Sequence, residues 1–163
     1  AFSLGLGVGF AEEIIFRGWL FGELNIFMGK KKAVILQSII FSLSHTHFGN
    51  LFWPMLSLLC GLFLFGIALG LMRILQGGNL WGCIGLHGGL VGLWFLFTSS
   101  FIDLSSNASA WLVGAGGLNA NPIGGLVGIL LLVILILNQF TALAIARRPF
   151  KGALNASSNG ANP

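Results

Sequence analysis

Three ionisable residues interrupt an otherwise apolar stretch near the start of this 163-residue chain. Glu12, Glu13 and Arg17 lie within residues 10–20, which read FAEEIIFRGWL. A charged side chain near the centre of a bilayer costs roughly 2.5–3.5 kcal/mol on insertion scales. Such charges persist mainly where they pair with one another or face a water-filled cavity, and they often mark functional sites.

The period of a helix divides this cluster into two parts. Glu13 and Arg17 are four residues apart, so on a helix the arginine can neutralise that carboxylate. Glu12 is rotated about 100° from Glu13 and faces another direction. His45 and His87 are its natural partners, because a carboxylate beside a histidine can hold and deprotonate a water molecule. The alternative is a buried network with a structural role only.

The composition predicts a membrane protein made of helices. Hydrophobic residues make up 56% of the chain and charged residues only 7%, with a mean hydropathy of +0.94, whereas soluble domains carry about 25% charged residues. Twenty-five glycines and no tyrosine are more typical of packed transmembrane helices than of a β-barrel. The two cysteines, Cys60 and Cys83, indicate neither a disulfide framework nor a zinc ribbon.

The sequence predicts an all-α, polytopic transmembrane helix bundle with about five spanning segments around a polar intramembrane cavity. The predicted helices are 2–27, 33–45, 52–75, 80–98 and 122–146. Residues 99–121 are expected to form a loop, and pairs of small residues such as Gly5/Gly9 and Gly88/Gly92 favour close helix contacts. Residues 1–150 are taken as one transmembrane domain lacking upstream helices, since the chain begins at Ala1, and 151–163 as a polar tail.

Positive charge predicts how the bundle is oriented. With five alternating spans, seven cations fall on one side of the membrane: Lys30, Lys31, Lys32, Arg73, Arg147, Arg148 and Lys151. The opposite loops, 47–51 and 99–121, contain no lysine or arginine. The positive-inside rule places the cationic side in the cytoplasm, or in the stroma. A bacterial inner membrane or a plastid or thylakoid membrane is therefore expected, and nucleic acid is not expected as a partner.

The same topology predicts that three polar side chains lie at similar depths. At 1.5 Å per residue, His45 lies roughly 20 Å along its helix from Lys32, and His87 roughly 20 Å from Arg73. Glu12 lies about 27 Å from Lys30 if its helix is straight. We therefore expect Glu12, His45 and His87 to converge on one site.

These residues resemble the motifs of a known family. Glu12-Glu13-x-x-x-Arg17, Phe41-x-x-x-His45, and His87 in the context IGLHGG follow one another on three predicted helices. In this order they resemble the CPBP intramembrane proteases, which include the Ras-converting CAAX prenyl endopeptidase and bacterial Abi-type proteins. The resemblance covers residues 10–95 and implies an all-α membrane fold that encloses a cavity.

The resemblance also implies roles for the site residues. Glu12 would be the general base that activates water, assisted by His45, and His87 would help to stabilise the oxyanion of a tetrahedral intermediate. Glu13 would pair with Arg17 to support the site. No cofactor is required in this scheme. The alternative is that Glu12, His45 and His87 bind Zn²⁺, with a metal-bound water as the nucleophile.

One position departs from the family pattern. Many members carry Asn or Asp four residues after the last histidine, where this chain has Val91. The valine side chain donates no hydrogen bond, so one donor to the oxyanion would be lost. At other oxyanion holes, the loss of one donor lowers the rate by about 10²–10³. Asn79 is expected to be too far from His87 to substitute, about 12 Å along the helix. Cys83 shares a helix face with His87. It would either line the site or, as the preferred interpretation, be a small residue that packs between helices.

Two functions remain open at this stage. The first is an intramembrane endopeptidase that hydrolyses a peptide bond of a membrane-associated peptide or protein substrate. The alternative is a catalytically silent family member that acts as a membrane scaffold, an assembly or immunity factor, or a subunit of a larger membrane complex. The complete set of motif residues favours the first function, and Val91 favours the second. Membrane lipid is an expected partner in both cases.

Overall fold

The structure, a computed structural model, describes residues 1–46, 52–103, 109–114 and 121–146. Within these ranges the chain is helical and contains no strand, which confirms the predicted all-α class. The α-helices are α1 (Phe2–Glu13), α2 (Phe21–Leu43), α3 (Phe52–Leu75), α4 (Trp81–Ser100), α5 (Ala110–Val113) and α6 (Leu126–Ala146). A π-helical segment (Ile14–Leu20) joins α1 to α2, and a 3-10 turn (Pro122–Gly124) precedes α6.

The connection between the first two predicted helices differs from the one that the sequence predicts. The π-helical segment begins directly after Glu13, so the predicted helix 2–27 is not a regular α-helix throughout. Gly29 has φ 78° and ψ 161°, a left-handed conformation that glycine adopts without a steric penalty. The helix direction therefore breaks at Gly29, whereas the prediction placed the break across residues 28–32. Helix α2 ends at Leu43, and His45 lies in the turn that follows.

The last spanning helix begins later than predicted. Pro122 opens the short 3-10 turn, and the side chain of Asn121 caps that turn by accepting a hydrogen bond from the backbone N–H of Ile123 at 3.1 Å. Helix α6 then starts at Leu126. Helix α5 lies inside the segment that was predicted as a loop, 99–121.

Three of the described helices are long and apolar enough to cross a membrane: Met55–Leu75, Trp81–Ser100 and Leu126–Ala146. Large apolar side chains are exposed along the bundle, for example Trp19, Trp81 and Leu137. Such a surface suits lipid and not water. The protein is therefore an integral membrane protein, although the predicted count of five spans is not confirmed. Residues 47–51, Arg147, Arg148 and the tail 151–163 lie outside the described residues.

Small residues let the helices approach closely. Gly9 faces the backbone of α4, where a Cβ atom on Gly9 would lie 2.7 Å from the backbone nitrogen of Gly88. Gly66 of α3 faces α2 in the same way, since a Cβ atom there would lie 2.9 Å from the Cα atom of Ser38. These contacts bring α1 to α4 and α2 to α3, and so bring together the helices that carry the polar residues.

Candidate functional site

Glu12, His45 and His87 meet in the bundle although they belong to three different segments of the chain. The Oε2 atom of Glu12 lies 3.7 Å from Nε2 of His45 and 3.8 Å from Nε2 of His87. Both distances exceed those of a direct hydrogen bond. The Oε2 atom of Glu12 is itself buried and has no hydrogen-bond partner among the described residues, so it is a buried acceptor that lacks a donor.

Glu13 lies beneath this group and binds two partners. Its Oε1 atom accepts a hydrogen bond from Nη1 of Arg17 at 2.8 Å and lies 2.7 Å from Nδ1 of His87. The side chains of Glu13 and Arg17 are completely buried, whereas 28% of the Glu12 side chain is exposed. Glu12 is thus the partly exposed carboxylate of the pair, and Glu13 is the buried one that binds Arg17 and His87.

The Nδ1 contacts orient both histidine rings. The Nδ1 atom of His45 lies 2.8 Å from the carbonyl oxygen of Phe41, which can only accept, so His45 carries a proton on Nδ1. The Nδ1 atom of His87 faces the Glu13 carboxylate in the same manner. Each ring therefore presents its Nε2 atom to Glu12.

Aromatic rings hold the charged groups in their positions. Phe41 is completely buried, and the guanidinium carbon of Arg17 lies 4.1 Å from its ring centroid, within the range of a cation–π contact. The Phe41 ring also packs against His45 and His87, with centroid distances of 4.8 and 5.9 Å. Phe65 of α3 contacts His87 edge-on at 5.2 Å. The phenylalanine of the second motif is thus a structural centre of the site.

A cavity of about 570 Å³ opens beside these groups. Its polar end contains Glu12, His45 and His87, and most of its remaining wall is apolar. Thr98 and Asn121 also line this cavity. A site with a few convergent polar groups at one end of an apolar cavity is typical of small-molecule and peptide-binding pockets.

The structure also shows where Val91, the residue that departs from the family pattern, and the other residues considered near His87 lie. Val91 lines the cavity with His87. Cys83 is completely buried in the core, where its thiol donates to the carbonyl oxygen of Leu69 at 3.3 Å. Asn79 lies before α4, where its side chain accepts a hydrogen bond from the backbone N–H of Trp81. His47 and Asn50, which border the second helix in sequence, lie outside the described residues.

Two features of the site were missed by sequence reasoning. Glu13 was assigned only to Arg17, yet it also binds His87, because α1 and α4 approach closely enough for that contact. Asn121 was placed at the end of a loop, and no spacing relates it to the three motifs. In the sequence Asn121 is marked only by a weak signal for a turn, an asparagine directly before a proline.

The donor set of Glu12, His45 and His87 matches the residue types that catalytic zinc prefers. Among the described residues, however, no group of three or more His, Cys, Asp or Glu side chains is arranged to hold a metal ion.

A comparison with protein families identifies the chain. A family model described as type II CAAX prenyl endopeptidase Rce1-like matches residues 1–93, which include all five predicted site residues. This match covers more than half of the 163 residues. Comparisons with curated proteins and with solved structures yield no match. The chain belongs to the Rce1-like family of type II CAAX prenyl endopeptidases.

Proposed function

We propose that this protein is an intramembrane endopeptidase in which Glu12 and His45 activate a water molecule. The proposal depends mainly on one observation: the Oε2 atom of Glu12, a buried acceptor without a hydrogen-bond partner among the described residues, lies 3.7 and 3.8 Å from two imidazole Nε2 atoms. A water molecule between them would be polarised by three groups at once. The family supports protease activity in general terms, and the mechanism that follows is our inference.

In this mechanism Glu12 takes a proton from the water, whose oxygen then forms a bond to the carbonyl carbon of the substrate peptide. The C–N bond of the resulting tetrahedral intermediate breaks, and Glu12 returns the proton to the leaving amine. The acid–base contribution of such a group is typically 10²–10⁴ in rate. Exposure of Glu12 toward the cavity supports this assignment.

The two histidines would have different roles because their Nδ1 atoms have different partners. His45 donates from Nδ1 to the carbonyl oxygen of Phe41, so in its neutral form the Nε2 atom carries a lone pair that accepts a hydrogen bond from the water. We assign the oxyanion to His87, whose Nδ1 atom is held by the Glu13 carboxylate and whose Nε2 atom faces Glu12. An N–H at this Nε2 atom would donate to the oxyanion of the intermediate.

The cavity supports a membrane-associated peptide as the substrate. The three reactive groups lie at one end of it, and aromatic and aliphatic side chains such as Phe65, Trp94 and Leu90 form much of its wall. An apolar part of the substrate, such as a lipid-modified or hydrophobic side chain, can occupy that wall while the scissile bond reaches Glu12. The name of the family points to prenylated CAAX peptides as the first candidates to test.

One observation favours the second function, a catalytically silent protein that acts as a scaffold, assembly or immunity factor, or complex subunit. Val91 lines the cavity in the place of the family's hydrogen-bond donor. If His87 alone cannot stabilise the oxyanion, the protein would bind its ligand without hydrolysing it. The two functions differ in turnover, which is directly measurable.

The decisive experiment compares Glu12→Gln with Glu23→Gln in the full chain reconstituted in lipid vesicles. Glu23 is an exposed glutamate of α2 and serves as a matched control. Cleavage of prenylated and unprenylated membrane-anchored peptides is followed by mass spectrometry. We expect Glu12→Gln to lower turnover by about 10²–10⁴, while Glu23→Gln keeps the wild-type rate.

Other outcomes decide between the remaining alternatives. Equal turnover in wild type and Glu12→Gln would contradict the proposed mechanism. Tight binding of these peptides without any cleavage would favour the silent protein. Loss of activity in EDTA that added Zn²⁺ restores would establish the zinc alternative, with Glu12, His45 and His87 as the ligands.

A further inference from the structure

A second cavity, of about 600 Å³, lies between α2, α3 and α6. Its wall consists of apolar side chains of α2, α3 and α6, and two lysines stand at one end of it. We call this cavity the lateral groove. It shares no lining residue with the cavity that contains Glu12.

The lateral groove has the length of one bilayer leaflet. Along α3 its wall extends from Leu64 to Ile74, which is about 15 Å at 1.5 Å per residue. The hydrocarbon core of a bilayer is about 30 Å thick, so one leaflet contributes about 15 Å. The volume also lies within the range of about 300–1,000 Å³ that is usual for ligand pockets.

The charges at the mouth of the lateral groove are positive, and within the described part of the chain they have no acidic partner. Lys30 and Lys31 line the mouth, and their side chains are exposed. Among the described residues, no carboxylate lies within ion-pair distance of either lysine. An anion at this position would therefore contact two ammonium groups, and no carboxylate of the described residues would compete with it.

The local backbone adds to this positive potential. The helix direction breaks at Gly29, so the helical segment that follows begins with three lysines in succession, residues 30–32. Cations at the amino end of a helix are unfavourable, because the helix dipole is positive there, whereas an anion is favourable. A bound anion would relieve this repulsion.

From these features we infer that the lateral groove binds one anionic phospholipid, with its phosphate at Lys30 and Lys31 and an acyl chain along α3 and α6. The apolar wall suits the chain, and the two lysines suit the phosphate. Juxtamembrane basic residues are known to attract anionic lipids in this way. This lipid site is separate from the proposed protease activity and does not depend on it.

The test measures binding of phosphatidylglycerol to the full chain in phosphatidylcholine nanodiscs, by native mass spectrometry. Lys30→Gln and Lys31→Gln are compared with Lys32→Gln, which removes the same charge from a neighbouring residue that does not line the groove. We expect each of the first two variants to weaken binding about fivefold and Lys32→Gln to have little effect. Ala144→Phe, which keeps every charge but narrows the groove, is also expected to weaken binding.

Three results would overturn the inference. Equal weakening by all three lysine variants would mean that the lipid is attracted by surface charge alone. Unchanged binding in Ala144→Phe would mean that no acyl chain occupies the groove. Equal protection from thermal unfolding by glycerol phosphate and by phosphatidylglycerol would identify a free phosphate site and not a lipid site.

Discussion

Glu12 and Glu13 are adjacent in the chain, yet their carboxylates lie in different surroundings. Glu12 borders the cavity and faces two Nε2 atoms, whereas Glu13 is completely buried between Arg17 and His87. The two side chains leave the helix about 100° apart, which explains why one lines the cavity and the other is buried. At the scale of the residue, the proposed roles therefore depend on which direction each carboxylate faces.

Replacement of Glu13 tests its role as the centre of a buried charge network. We expect Glu13→Gln to lower the free energy of unfolding by about 3–5 kcal/mol, because it leaves the Arg17 charge buried without its partner. Thermal unfolding in detergent measures this change. The double variant Glu13→Gln, Arg17→Gln should recover part of the loss, and a single variant as stable as wild type would contradict the network.

Replacement of Val91 tests whether the site lacks an oxyanion donor. Val91 lines the cavity with His87 on the same helix. We expect Val91→Asn to raise peptide turnover, by up to about 10²–10³ if the new amide reaches the oxyanion. Val91→Leu, which adds no donor, is the control. If both variants cleave at the same rate, the lack of a hydrogen-bond donor at position 91 does not limit turnover.

At the scale of the element, two irregularities decide where the site residues lie. The π-helical segment starts directly after Glu13, and such segments inside α-helices are frequently found at functional sites. The break at Gly29 separates the part of the first long helix that carries the carboxylates from the part that leads to His45. The period of the apolar residues does not predict the π-helical segment, whereas the break at Gly29 falls inside the interval 28–32 that the sequence left between two helices.

The close contact between α1 and α4 is expected to support both the stability of the bundle and the geometry of the candidate site. A Cβ atom on Gly9 would lie 2.7 to 2.8 Å from backbone atoms of α4, so Gly9→Ala forces the two helices apart. We expect a loss of about 1–3 kcal/mol in unfolding free energy. Peptide turnover should also fall, since Glu12 lies one turn away on α1 and depends on the same contact to meet His87.

The matched control is Gly7→Ala on the same helix. A Cβ atom on Gly7 would meet no other atom within 4 Å. Because alanine favours a helix over glycine by up to about 1 kcal/mol, this variant should be as stable as wild type or slightly more stable. Equal destabilisation by the two variants would mean that close packing of α1 on α4 is not the cause.

At the scale of the whole molecule, the charges and the apolar surface together determine how the protein lies in a membrane. Lys30 and Arg73 lie at the same end of the bundle, at the break in the first long helix and at the end of α3. The other end of α4, at Ser100, carries no lysine or arginine in the residues that follow it up to 121. The positive-inside rule therefore predicts that the lysine end is cytoplasmic or stromal.

Labelling with a membrane-impermeant thiol reagent tests this orientation. In a Cys60→Ser, Cys83→Ala background, a cysteine is introduced at one end by Lys32→Cys or at the other end by Ser100→Cys. In intact cells we expect labelling of the Ser100→Cys variant only, and labelling of both after the membrane is opened. The opposite pattern would mean that the protein is inserted the other way round.

The sequence by itself determined the class of protein and the residues worth testing. Its apolar composition indicated membrane helices, and the costly charges of Glu12, Glu13 and Arg17 indicated a site, because both follow from residue type alone. The spacing of Glu13 and Arg17 also predicted their contact, since four residues on a helix make neighbours whatever surrounds them. Motif order was enough to suggest the family that the comparison then showed.

Only the tertiary structure decided which groups each of these side chains contacts. Glu13 also binds His87, 74 positions away in the chain, because α4 packs against α1. The different Nδ1 partners of His45 and His87 likewise follow from packing, as does the place of Asn121 in the cavity wall. The physical reason is that spacing along one helix is set by its local period, whereas distances between helices depend on close packing that no local pattern encodes.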